Sequence, residues 1–172
     1  SDVVGISAAQ NHTCALHSTG RVSCWGRNTY GQLGDLSTTR RLAPVEVPGV
    51  TGAVQVTTGR DHTCALLANR MVQCWGGGTG GELGNGALMN NLSPVFVVGT
   101  AGTGTLSDVV AVSAGYAHTC ARRATGPLVC WGFNSDGQLG NGTRTNSSVP
   151  VEVPGLTDVA QVVAGNGSTQ LI

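Results

Sequence analysis

Six cysteines fall into three pairs of identical interval: Cys14 and Cys24, Cys64 and Cys74, and Cys120 and Cys130 each lie ten residues apart. Every pair is embedded in the same longer phrase. His12-Thr13-Cys14-Ala15, Cys24-Trp25-Gly26 and Gly31-Gln32-Leu33-Gly34 return as His62-Thr63-Cys64-Ala65, Cys74-Trp75-Gly76 and Gly81-Glu82-Leu83-Gly84. They return again as His118-Thr119-Cys120-Ala121, Cys130-Trp131-Gly132 and Gly137-Gln138-Leu139-Gly140, so every cysteine and tryptophan of the chain is a repeat position. First cysteines are separated by 50 residues and then by 56, while the interval inside a pair is fixed. Insertions are therefore tolerated between units and not within the paired segment, and each residue has to be judged first by its place in the repeat.

Each unit reads as four short strands. Asp2 to Ala8, Gly52 to Thr58 and Asp108 to Ala114 carry valine or isoleucine at a period of two, the mark of a half-buried strand. A His-Thr-Cys-Ala strand follows, after a turn built on Gly59 and Gly115 in the second and third units. The residues midway between the cysteines, Ser18-Thr19-Gly20, Ala68-Asn69-Arg70 and Ala124-Thr125-Gly126, read as a hairpin turn into the Cys-Trp-Gly strand. Such a turn sets the two cysteines of a unit opposite each other. The fourth strand begins at Pro44, Pro94 or Pro150, and proline there fits a sheet edge, where a missing N–H does no harm. Four antiparallel strands at a period near fifty predict an all-β fold of β-propeller blades. The units run over residues 1–50, 51–106 and 107–156, with a partial fourth at 157–172, as a single repeat domain. One chain with three complete blades does not close a ring.

Composition removes several function classes. Only 10% of the residues are charged and the formal net charge is zero, so the basic face of a phosphate-binding protein is missing and nucleic acid is not an expected partner. Apolar runs such as Val109 to Val112 are strand-sized, which gives no membrane insertion. The 27 glycines and 40% hydrophobic content describe a folded chain of strands and tight turns.

The linked motifs Gly-x-x-His-Thr-Cys-Ala, Val-x-Cys-Trp-Gly, Asn-x-x-Gly-Gln-Leu-Gly and Pro-Val-x-Val resemble the regulator of chromosome condensation repeat, in the cysteine-paired form met in bacterial secreted and surface proteins. The resemblance extends over essentially the whole chain. It implies a propeller, usually of seven blades, and relatives that act as exchange factors or as inhibitors of secreted hydrolases.

Opposed hairpin positions match disulfide geometry, so Cys14–Cys24, Cys64–Cys74 and Cys120–Cys130 are expected to be bridged, which implies an oxidising compartment and a secreted or cell-surface location. Metal ligation by His-x-Cys plus a second cysteine is the rival, but each unit lacks a fourth ligand; free thiols are the remaining alternative. His12, His62 and His118 recur at one blade position, which points to a repeated hydrogen bond and away from catalysis. His17 is unrepeated and has no acid or nucleophile at a telling spacing. Trp25, Trp75 and Trp131 are expected in packing between blades; carbohydrate stacking on them is possible but unsupported. Glycosylation triplets begin at Asn11, Asn91, Asn141, Asn146 and Asn166, with Asn141 and Asn146 the better candidates because they fall in a polar loop.

The expectation is thus a non-enzymatic extracellular module without cofactor or metal, which assembles head to tail with further copies of itself into a polymer or surface structure, or binds another protein. Asp158, Val159, Val162 and Val163 form the candidate assembly strand, a surplus first strand able to complete a neighbour's sheet. The alternative is a portion of a complete seven-bladed propeller that binds or inhibits a protein partner. Binding residues are sought in the variable loops 38–43, 87–93, 100–105 and 143–148, where Arg40, Arg41 and Arg144 are the only charges.

Overall fold

The computed structural model describes residues 2–165 and 168–171. Strands β1 (Val3–Ala8), β2 (His12–His17), β3 (Val22–Gly26) and β4 (Arg41–Glu46) form one antiparallel sheet in the order of the chain. The second sheet contains β5 (Ala53–Thr58), β6 (His62–Leu67), β7 (Val72–Gly76) and β8 (Asn91–Phe96), and the third β9 (Val109–Ala114), β10 (His118–Arg123), β11 (Val129–Gly132) and β12 (Ser147–Glu152). These are three propeller blades with innermost strands side by side, and the arc they form is not closed. No helix among the described residues is long and apolar enough to cross a membrane.

Within each blade the central hairpin is in the register that the turn dictates, with Cys14 opposite Cys24, Cys64 opposite Cys74 and Cys120 opposite Cys130. Disulfides join all three pairs across Cα separations of 4.1 Å, and no cysteine is free. The prolines behave differently from the expectation. Pro44, Pro94 and Pro150 lie inside the outermost strands, not at their start, at the point where the ladder to the third strand slips between Cys24 and Gly26 and at the equivalent places. The bulge removes the need for an N–H exactly where proline lacks one.

The apolar core lies between blades. Leu16, Val22, Leu33 and Val47 of the first blade pack with Ala65, Leu67 and Trp75 of the second. Leu66, Val72, Leu83 and Val97 in turn meet Val112, Ala121 and Trp131 of the third. Each sheet thus presents one apolar face forward and one backward, and stability comes from stacking neighbours.

The segment after the third blade departs from the expected surplus strand. Asp158 and Val159 precede any strand; β13 (Val162–Ala164) is short and pairs with β14 (Thr169–Leu171), giving a two-stranded half-blade. Val162 is buried against Leu128, Leu139 and Val153 of the third blade, with Val159 packed beside it, whereas Val163 points to solvent. The apolar side chains of Val159 and Val162 in this segment pack within their own chain.

Candidate functional site

The repeated histidines, threonines and tryptophans build one junction, made twice in full. His12 Nε2 lies 2.8 Å from Thr63 Oγ1, and Thr63 Oγ1 donates to the Gln32 carbonyl at 2.9 Å. Trp75 Nε1 donates to the same carbonyl at 3.0 Å. His62, Thr119, the Glu82 carbonyl and Trp131 repeat the arrangement one blade later at 2.9, 3.4 and 2.9 Å. Because the threonine proton is committed to the carbonyl, each imidazole donates from a protonated Nε2, which the neutral ring can supply. Burial enforces this state by lowering the pKa of His12 to about 4, of His62 to about 3 and of His118 to about 4. Gly34 and Gly84 are required by the same junction, since a Cβ on either would stand 2.8 Å from the indole of Trp75 or Trp131. Fully buried indoles have no ring face left for carbohydrate, so the stacking alternative is excluded for Trp75 and Trp131.

Among the described residues no blade packs on the same surface of the first blade. Ile6 is 66% exposed, whereas its counterparts Val56 and Val112 are 9% and 1% exposed; Leu42 is 92% exposed against 38% for Leu92. Trp25 is only half-buried, and among the described residues no carbonyl accepts its Nε1–H. This is the face that, in the second and third blades, packs against the blade before it.

His17, which sequence spacing left without a partner, has two. Its Nδ1 meets Asp2 Oδ1 at 2.9 Å and its Nε2 meets Ser23 Oγ at 3.0 Å. Asp2 reaches it across the β1–β2 pair, a proximity that distance along the chain conceals. The hydrogen bond to His17 holds the Asp2 carboxyl below its ordinary value. The order Asp, His, Ser is that of a nucleophilic triad, but Asp108 and Arg123 make the equivalent link in the third blade as an ion pair at 2.9 Å. We therefore read the group as a pin between the first two strands. Among the described residues no three His, Cys, Asp or Glu side chains are placed to hold a metal ion.

The loops singled out for binding are largely occupied with themselves. Arg41 donates to Asp35 at 2.7 Å. Asn141 Oδ1 accepts from the Thr143 amide at 3.1 Å, and Asn146 Oδ1 accepts from the Asn134 amide at 2.9 Å, so both candidate glycosylation residues also shape their loop. Asn166 lies outside the described residues.

The residues that break the repeat gather elsewhere. Arg60 replaces Gln10 and Tyr116, Asp61 replaces Asn11 and Ala117, Glu82 replaces Gln32 and Gln138, and Phe133 replaces Arg27 and Gly77. All belong to the loops at the blade end where the first and second strands turn. Arg60 forms an ion pair with Asp61, donates from Nη1 to Tyr116 Oη at 2.6 Å, and has its Cζ 4.4 Å from the Tyr116 ring centre. Arg27 lies over Tyr30 at 5.5 Å and reaches Asp61 at 3.8 Å. A cavity of about 350 Å³ opens beside this group, bordered by Arg60, Glu82, Tyr116, Phe133 and Asn146. Reading the motifs for what they share overlooked these residues; aligning the three units for what differs exposes them.

Comparison with known proteins supplies the family. The model of the regulator of chromosome condensation (RCC1) repeat matches residues 19–66, 72–122 and 126–172, and a second model of the same repeat matches 3–32, 53–82 and 109–138. The ultraviolet-B receptor UVR8 of Arabidopsis thaliana is 30% identical over 162 residues, which is 93% of this chain and 36% of the receptor. Human WBSCR16 superposes with a TM-score of 0.85 at 23% identity, covering 99% of this chain and 44% of that one. Prp20p of Saccharomyces cerevisiae, the yeast RCC1, superposes at 0.84 and 19% identity, covering 98% and 43%. The chain thus spans well under half the length of these relatives. Its motifs, blade architecture and family match agree: the chain belongs to the regulator of chromosome condensation repeat family.

Proposed function

We propose that this chain is a non-enzymatic protein-interaction module of an oxidising, extracellular compartment, in which it works by docking further propeller blades face to face. The observation that carries the reading is the apolar face of the first blade, where Ile6 is exposed and Trp25 half-buried while their counterparts Val56, Val112, Trp75 and Trp131 are buried between blades. Three disulfides favour a compartment in which they persist. The yeast relative has been crystallised bound to Kap60 and described for its binding to Gsp1p and histones, which supports protein partners as the class. Further copies of this chain, arranged head to tail, are the blades we assign to the open face; blades from a longer polypeptide are the second reading, favoured by the share of its relatives that the chain spans.

Sedimentation equilibrium of the non-reduced chain tests the assignment. Self-association that rises with concentration and is lost in the double variant Ile6→Asp, Leu42→Asp supports copies as the occupants. A monomer at every concentration rejects them and leaves the longer propeller. Association that the double variant retains rejects the open face as its site.

A further inference from the structure

The cluster of unrepeated residues contains a pattern that is complete twice and incomplete once. Arg27 lies over Tyr30 and reaches the Asp61 carboxylate, and Arg60 lies over Tyr116 and pairs with the same carboxylate. In both cases a guanidinium is held between an aromatic ring and an acid. The third combination, Phe133 with Glu82, borders the same cavity and has no guanidinium. Phe133 is an exposed ring in a chain with only 4% aromatic residues, and Glu82 takes part in no ion pair among the described residues.

The register of the repeat explains why one Glu82 oxygen is left over. Gln32 uses Oε1 to accept the Tyr30 amide at 2.9 Å and points its Nε2 at Asp61 at 3.5 Å; Gln138 uses Oε1 to accept the Asp136 amide at 2.9 Å. Glu82 does the first task with Oε2, which accepts the Gly80 amide at 2.8 Å. Opposite it, however, Ala117 stands where the second blade has Asp61, so no acid awaits a donor and the vacated volume is part of the cavity. An acceptor has replaced a donor where the facing unit has Ala117 in place of an acid; Gln138 keeps its amide, although the corresponding position of the partial fourth unit is Gly167. Arg60 also borders the cavity, with its Nη1 committed to Tyr116, and it shares the Asp61 carboxylate with Arg27. Burial raises the Glu82 carboxyl above its ordinary value, and an entering cation reverses that shift.

We propose that the cavity bordered by Glu82, Tyr116 and Phe133 receives an arginine side chain of a protein partner, with the guanidinium bonded to the Glu82 carboxylate and stacked on Phe133. Arginine suits the site because its planar fork offers directed donors to a carboxylate while its face lies on a ring. Thr79 and Asn146 at the rim supply polar groups for the adjoining peptide. The inference rests on the reading of the chain as an interaction module.

The test is a titration of the ¹⁵N-labelled full chain with acetyl-Gly-Arg-Gly-amide, beside the same peptide with citrulline, the neutral isostere, in place of arginine. The expected result is saturable shifts of the Gly80, Glu82 and Phe133 amides with the arginine peptide alone. Glu82→Gln, which installs the residue found at Gln32 and Gln138 and so preserves the fold, is expected to weaken binding about tenfold. Phe133→Ala is expected to weaken it about threefold. Absence of saturable shifts, equal shifts with citrulline, or unchanged binding by Glu82→Gln overturns the proposal. Blade docking is read separately by mass in solution, so a failure here leaves that reading intact.

Discussion

Acid weakens this fold at a pH where most proteins are indifferent to it, because three imidazoles are locked neutral inside it. His12, His62 and His118 have pKa values lowered to about 4, 3 and 4 by burial, against 6.5 for an exposed ring. The unfolded chain therefore binds protons between pH 6.5 and about 4 that the folded chain refuses, and stability falls as pH falls through that window. For one ring with values of 6.5 unfolded and 4 folded, linkage gives a loss of about 1.8 kcal/mol on going from pH 7 to pH 5, hence roughly 5 kcal/mol for three. Glu82 opposes them, since its raised pKa makes the folded state the better proton binder as pH falls, but it is a single group whose effect belongs to the lower part of the window. Guanidinium unfolding of the non-reduced chain at pH 7 and pH 5 measures the difference directly. The variant His62→Gln is expected to be less stable at pH 7 and to show about a third less pH dependence, because one of the three titrating rings is gone. Equal stability at pH 7 and pH 5 refutes the assignment of neutral, buried imidazoles.

Three further outcomes follow from the same geometry. Replacing Cys64 and Cys74 together by alanine is expected to cost about 3 kcal/mol, the chain-entropy value for so short a loop, measured by denaturant unfolding with the other bridges intact. Arg70 adopts φ 65° in an exposed turn where the first and third blades use Gly20 and Gly126, so Arg70→Gly is expected to stabilise by about 1 kcal/mol and raise Tm by about 2–4 °C in calorimetry; a decrease refutes the strain. Ser23 is expected to resist a fluorophosphonate probe despite its contact with His17, and labelling detected by intact mass would revive an enzymatic reading.

Much of the architecture is legible in the sequence because a repeat states each constraint three times. Cysteines ten residues apart around a central turn face each other, and the tryptophan beside every second cysteine points out of the hairpin, in Trp75 and Trp131 toward the preceding blade. What escapes the sequence is determined across strands or across blades. Gly59 reads as a turn glycine, yet its reason is proximity: a Cβ there would collide with the His62 ring and the Gly115 carbonyl. The link from His17 to Asp2 spans two strands, and the half-blade at β13 and β14 depends on packing against Leu139 and Val153 that no local pattern announces. The Arg60, Glu82 and Phe133 cluster is concealed for the opposite reason. Its members occupy repeat positions, and only their identities depart from the repeat.

The central claim is that the exposed face of the first blade is a docking surface, and Trp25 reports on it. The indole Nε1–H of Trp75 and Trp131 is bonded to a carbonyl of the preceding blade, while among the described residues that of Trp25 has no such partner. The decisive measurement is the solvent exchange of the three indole Nε1–H resonances as the concentration of the non-reduced chain is raised. The account predicts that Trp25 exchanges rapidly in dilute solution and becomes protected as copies associate, with Trp75 and Trp131 protected throughout. A Trp25 signal that exchanges rapidly at every concentration contradicts docking of further copies on this face.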